Sequence, residues 1–169
     1  MDVAALLGDL FGRIRPLAER AVDGLEPGQL TARPGPDANT VAWLIWHLAR
    51  VQDSHIAELV DGATQVYVDG DWGPRFGLAS DPDDTGYGYS SAEVTAVRPE
   101  SGSVLLDYLA RVSEVTERYL DGLTAVDLDR VVDRRWDPPV TLGVRLVSVA
   151  DDCLEHAGQA NYARGLLGL

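Results

Sequence analysis

From Val41 to Trp46 the chain reads Val-Ala-Trp-Leu-Ile-Trp, with no polar side chain in the run. Asn39 ahead of it is a good helix cap and Gly62 a good stop, so the pattern predicts a helix over residues 40–61. A helix that is apolar all round for two turns cannot lie on a surface, because some of its side chains would face water whichever way it turned. Other helices must enclose it. The run turns amphipathic only after Arg50, and His47 sits at the end of the enclosed portion.

Three other stretches can supply that enclosure. Asp2 can cap a helix over residues 3–25, with Val3, Leu6, Leu7, Leu10, Ile14, Leu17, Ala21 and Leu25 on one stripe. Pro16 inside it should kink the helix or open a second piece, since it lacks a donor and clashes with the preceding turn. Residues 101–121 repeat the period through Val104, Leu105, Tyr108, Leu109, Val112, Val115, Tyr119 and Leu120, stopping at Gly122. A last helix, capped by Thr141, runs over residues 141–167. Between residues 62 and 100 the periodicity gives way to Gly, Pro, Asp and Tyr, as expected of a crossover or a lid. One short helix near residues 91–96, capped by Ser90 or Ser91, fits inside it. Val131, Val132, Trp136 and Pro138-Pro-Val read as a connector, with no strand. The expectation is one all-α domain spanning 1–169: an antiparallel four-helix bundle whose link between helices two and three is long enough to cross it and permit parallel neighbours there.

Charge narrows the partners. With 27 acidic and 14 basic residues the net charge is −13, which argues against nucleic acid or an anionic membrane surface as a ligand. All the basic residues are Arg, and with abundant Ala, Gly, Val and Asp this has the look of a GC-rich bacterial coding bias. A single cysteine, Cys153, suits a reducing compartment, and the start Met1-Asp-Val-Ala-Ala lacks the basic and apolar regions of a secretion signal. No apolar run reaches membrane-spanning length. A cytoplasmic protein is expected.

The anomaly lies in the last helix. At helical spacing Leu142, Arg145, Leu146, Val149, Asp152, Cys153, His156, Ala160, Ala163 and Leu167 share one mostly apolar face. Asp152 and His156 are one turn apart on it and can converge on one point. A carboxylate there needs a cation, a donor or a proton. With His47 they would make three ligands for a divalent metal, leaving an open position as in catalytic zinc sites. A hydrogen-bonded set among neighbouring helices is the other answer, and spacing alone leaves both open. Arg145, Gln159, Tyr162, Trp72 and Arg75 are candidates for the surroundings. Arg145, two turns before Asp152, could orient an anionic group, and Trp72 and Arg75 in the crossover could close the pocket mouth. His55, beside Asp53 and Glu58, reads as solvated or structural; Cys153 as a small buried hydrophobe; Trp43, Trp46 and Trp136 as core. The Asp81–Asp84 cluster lacks calcium-loop spacing, and Gly86-Tyr-Gly-Tyr lacks a phosphate-loop context. No catalytic residue is assigned beyond the metal ligands.

The run Asn39-Thr-Val-Ala-Trp-Leu-Ile-Trp-His-Leu-Ala-Arg-Val-Gln-Asp-Ser-His-Ile-Ala and the ending Asp152-x-x-x-His156-Ala-Gly-Gln159 resemble the DinB-like (YfiT-like) superfamily. That group includes mycothiol-dependent maleylpyruvate isomerase and bacterial thiol transferases, and the likeness extends to Leu30-x-x-Arg-Pro-Gly-Pro and Trp136-Asp-Pro-Pro-Val-Thr-Leu. It implies a four-helix bundle with a long crossover, and a metal held by one His of helix two and two ligands four residues apart on helix four. His47 and His156 fall on those positions. Asp152 stands where many members have His and the isomerase group has Glu, and being shorter it needs a closer helix approach or a bridging water. The implied cofactors are zinc, or nickel in its place, and a low-molecular-weight thiol, which an actinobacterial source would make mycothiol. The implied partners are that thiol and an electrophilic small molecule, with a homodimer compatible with the apolar helix two. A stress-response or small-molecule-binding bundle without a catalytic metal is the alternative.

Overall fold

The computed structural model describes all of residues 1–169. In chain order its elements are α1 (Val3–Gly12), α2 (Ile14–Val22), α3 (Pro27–Leu30), α4 (Val41–Leu59), α5 (Val66–Asp69), a 3-10 turn (Gly73–Phe76), α6 (Ser91–Ala96), α7 (Gly102–Leu120), a second 3-10 turn (Asp127–Asp129), β1 (Val131–Asp133), β2 (Val140–Thr141) and α8 (Leu142–Leu166). The first stripe is therefore two helices, broken at Arg13, with Pro16 as the third residue of α2. In that first turn no intrahelical partner exists for the missing N–H, so the proline costs little there.

Thr40 caps α4 by accepting from the Trp43 amide at 3.0 Å, and every residue from Val41 to Arg50 is buried. That burial comes from α7 and α8, which both pack against α4, while α2 closes the bundle by packing on the same two helices from the far side. The α4–α8 pair is antiparallel: His47 lies beside His156 with ring centroids 4.8 Å apart, and His55 beside Arg145. The α2–α8 pair is parallel, since Asn161 Nδ2 donates to the Leu17 carbonyl at 2.9 Å and Arg164 Nη1 to the Arg20 carbonyl at 2.7 Å. The bundle thus mixes parallel and antiparallel neighbours, as a long connection permits.

Two sequence expectations fail here. Residues read as a plain connector form a small antiparallel hairpin, β1 with β2, pairing Val131 with Thr141, and the Leu142 amide extends it by donating to the Arg130 carbonyl at 2.8 Å. β-Branched Val131, Val132, Val140 and Thr141 favour that geometry, but so short a ladder leaves no readable period. Trp136 stands in the hairpin loop and is 67% exposed, so it is not a core residue.

The crossover is tied down from beneath by Arg50, whose side chain is wholly buried. Its guanidinium donates to the carbonyls of Asp84 (3.0 Å), Pro82 (3.1 Å) and Asp81 (3.4 Å), to Gln65 Oε1 (2.9 Å) and to the Tyr108 hydroxyl (3.2 Å), and it lies over the Tyr67 ring. Asp53, one turn on, accepts the first two amides of α5, from Val66 (2.9 Å) and Tyr67 (2.8 Å), and the Tyr108 hydroxyl (2.8 Å). Burial raises the Asp53 carboxyl, and these donors with Arg50 offset part of that rise. No helix is long and apolar enough to cross a membrane.

Candidate metal centre

Antiparallel packing of α4 on α8 brings His47, Asp152 and His156 together. One potential ligand atom from each lies within 4.8 Å of the other two. The helices can approach because small residues fill the seam: Ala49, Cys153 and Ala157 are fully buried, and Cys153 Sγ lies 3.4 Å from the Leu48 carbonyl. This close approach answers the shorter reach of Asp152. Its Oδ1 is 3.6 Å from His156 Nε2, too long for a good hydrogen bond. A tetrahedral ion with bonds of 2.0–2.1 Å sets its ligands about 3.4 Å apart, so that edge is nearly in place and the others need only draw in.

Both imidazoles are presented in the metal-binding tautomer. His47 Nδ1 lies 2.5 Å from the Thr85 carbonyl, and His156 Nδ1 lies 2.9 Å from Gln159 Oε1. The Thr85 carbonyl and Gln159 Oε1 accept, so in the neutral rings each Nδ1 carries the proton and each Nε2 keeps its lone pair. Burial lowers His47, so it stays neutral; the Asp152 carboxylate raises His156 against the opposing effect of burial. Asp152 Oδ2 is buried with no hydrogen-bond partner. A closed hydrogen-bonded set would satisfy that oxygen. The residues fit a divalent cation instead: two imidazoles and a carboxylate converge in a partly dry place, and the carboxylate keeps one oxygen without a protein partner.

The site opens into a cleft of ≈ 880 Å³ between α4, α8, the crossover and the hairpin. Thr85 and Gly86 roof its inner end. Gly86 has φ +83°, and a Cβ there would come within 2.6 Å of Trp46 Cζ3 and 3.2 Å of His47 Nδ1, so only glycine lets the crossover settle onto His47. Trp43 stacks flat on His47 at 4.5 Å between centroids and meets the His156 ring edge-on at 5.8 Å, fixing both imidazoles while remaining buried. At the outer end Tyr87 and Trp136, 91% and 67% exposed, stand at the cleft mouth.

The remaining sequence candidates separate. Arg145 lines the cleft, but its guanidinium is engaged by Asp133 (3.0 Å), by Glu58 (3.3 Å) and by His55, so it is not free to orient an anion. Trp72 and Arg75 do not close the mouth. Trp72 packs on Tyr108, Arg75 lies over Trp72 and pairs with Glu100 at 3.4 Å, and both line a separate groove with Arg111 and Val115 of α7. Short helix α5 carries them to that side, which spacing could not foretell. Tyr162 is 70% exposed and does not line the cleft, whereas Gln159 touches His156. Cys153 is fully buried, which pushes its thiol far above the ordinary range and leaves it no nucleophile. Sequence reasoning missed Thr85, Gly86, Tyr87 and Trp136 at the cleft, and Arg50 beneath it. For Arg50 a signal existed, since an arginine ending an apolar stretch on an enclosed helix must have buried acceptors.

Three comparisons bear on the whole chain. The sequence model of a family described as mycothiol-S-transferase matches residues 6–168. A crystal structure of a conserved protein from Enterococcus faecalis superposes with a TM-score of 0.90 at 32% identity, covering 100% of this chain and 99% of that one. No curated protein matches.

Proposed function

The chain belongs to the mycothiol-S-transferase family, and on that footing we propose that it is a divalent-metal-dependent enzyme joining the sulfur of mycothiol to an electrophilic small molecule. The observation that carries the metal dependence is the convergence of one potential ligand atom each from His47, Asp152 and His156 within 4.8 Å of one another, with a carboxylate oxygen of Asp152 left unpartnered in the protein. Zinc or nickel held by His47, Asp152 and His156 would act as a Lewis acid, lowering the pKa of a thiol bound at its open position.

This chain's own groups do the rest. The Thr85 carbonyl and Gln159 hold the ligand nitrogens unprotonated and aimed. The crossover at Gly86 and the ring of Trp43 shield His47 from water, which strengthens every charge interaction at the inner end. The cleft holds the electrophile against the sulfur, converting a bimolecular collision into a positioned one. In the reaction the S–H proton passes to solvent, an S–C bond forms, and the leaving group departs with its bonding pair. Because the family is one of transfer, the sulfur stays on the product; an isomerase would release it.

The test is thioether formation from mycothiol and 1-chloro-2,4-dinitrobenzene by zinc-loaded protein. Turnover should require the metal and vanish in His156→Ala. A rate indifferent to chelation and to that substitution would refute the proposal.

A further inference from the structure

The outer half of the cleft has a polar character of its own, eight residues along α4 from His47. His55 faces the same cleft as His47 but lies two turns away, about 12 Å along the helix axis. Its Nδ1 is in hydrogen-bond contact with Arg145 Nη1. A guanidinium can only donate, so Nδ1 must offer its lone pair and the ring proton must sit on Nε2. The Glu58 carboxylate, 3.6 Å from Nδ1, is too far to reverse this. Burial and then the Arg145 charge lower His55, so the ring is neutral. The hydrogen bond that His55 makes within the chain uses Nδ1; its Nε2–H has no acceptor in the protein.

The charges around it cancel. Asp133 takes Arg135 through Nε (3.0 Å) and Nη2 (2.9 Å) and Arg145 through Nη2 (3.0 Å), while Glu58 takes the other arm of Arg145. Two guanidinium groups thus face two carboxylates. Asp83 and Asp84 add further negative charge to the wall, which disfavours an anionic ligand. A free N–H on a ring that lines the cleft selects an oxygen acceptor over a cation. The exposed rings of Tyr87 and Trp136 offer flat apolar contact above it.

Resting on the transferase reading above, we propose that this outer half is the recognition subsite for the uncharged, hydroxyl- and amide-bearing body of the thiol, with His55 Nε2–H as the donor that fixes it. His55 is then a specificity residue that distinguishes a large neutral thiol from a small one, and takes no part in the chemistry at sulfur.

The experiment is calorimetric titration of S-methyl mycothiol, whose blocked sulfur cannot become a thiolate, into zinc-loaded protein. Wild type should bind. His55→Phe removes the donor and should weaken binding about tenfold, the scale of one hydrogen bond. His55→Gln carries an N–H near the Nε2 position and should recover to within about threefold of wild type. His55→Asn places its amide near Nδ1 instead, and should behave like the Phe variant. Zinc content and turnover of 2-mercaptoethanol should be the same in all four proteins. Equal affinity of wild type and His55→Phe, absence of wild-type binding, or an equal loss of 2-mercaptoethanol turnover would overturn the assignment. Failure of wild type to hold zinc would sink the transferase reading instead, and the same titration into metal-free protein, since S-methyl mycothiol needs no thiolate, would then decide the subsite.

Discussion

Gly86 is where the crossover meets His47 of the candidate metal centre, and a single methyl group there tests how the site is built. In Gly86→Ala the new Cβ would lie 2.6 Å from Trp46 Cζ3 and 3.1 Å from Trp43 Nε1, at a residue with φ +83°. The positive φ alone costs about 1–2 kcal/mol for an L residue. Trp46 is fully buried and cannot swing aside, so overpacking adds about 1–3 kcal/mol. Together these give about 2–5 kcal/mol, read by urea unfolding of the metal-free protein. Gly88→Ala is the internal control: its φ is +74°, yet nothing lies within 4 Å of the added Cβ, so only the backbone cost should appear. If the loop lifts to relieve the clash, the Thr85 carbonyl leaves His47 Nδ1, and zinc affinity should fall about 10–100-fold, as for loss of a ligand's supporting hydrogen bond. Gly86→Ala matching Gly88→Ala in both stability and zinc affinity would refute the close-approach account.

Other outcomes follow from the same geometry. Arg50→Met strands the buried Asp53 carboxylate and frees the carbonyls of residues 81–84, so urea unfolding should show a loss of about 3–5 kcal/mol. Zinc binding must displace protons from its ligands. His156 is raised above 6.5 and His47 lowered below it, so near pH 6.5 binding should release a proton mainly from His156, with affinity falling as pH drops. Titrations in buffers of different ionisation enthalpy count that proton, and a pH-independent affinity between pH 6 and 7 would contradict the assignment. For the metal-free protein the pH dependence runs the opposite way: the raised His156 contributes stability present below 6.5 and lost as pH rises through its folded value, and His156→Gln should abolish that part. Cys153, fully buried, should resist iodoacetamide in the native protein and label only on unfolding, as mass spectrometry would show.

The three long helices α4, α7 and α8, and the break of the first stripe near Pro16, are legible because helices impose a period, which also sets Asp152 and His156 one turn apart. A carboxylate and an imidazole one turn apart on an apolar stripe announce themselves, as does a histidine closing an enclosed run. The short helix at 91–96 was legible too, through its cap: Ser90 accepts from the Glu93 amide and Glu93 reaches back to Ser90. What lay in the crossover was not. No period marks Thr85 as the carbonyl that orients His47, and Gly86 seemed idle without a phosphate loop, though its role is steric. Spacing cannot place Trp72 and Arg75, because a loop's path depends on what its backbone bonds to, here Asp53 and Arg50. Arg145 was read alone, and the hairpin that delivers Asp133 to it was too short to foresee.

Metal content per chain tests the central claim most directly. Protein purified without chelator should hold close to one zinc or nickel ion by mass spectrometry, and His47→Ala, Asp152→Ala and His156→Ala should each lose it while staying folded. A wild type free of metal after incubation with zinc, or an Asp152→Ala variant that binds it as tightly as wild type, would contradict the three-ligand site.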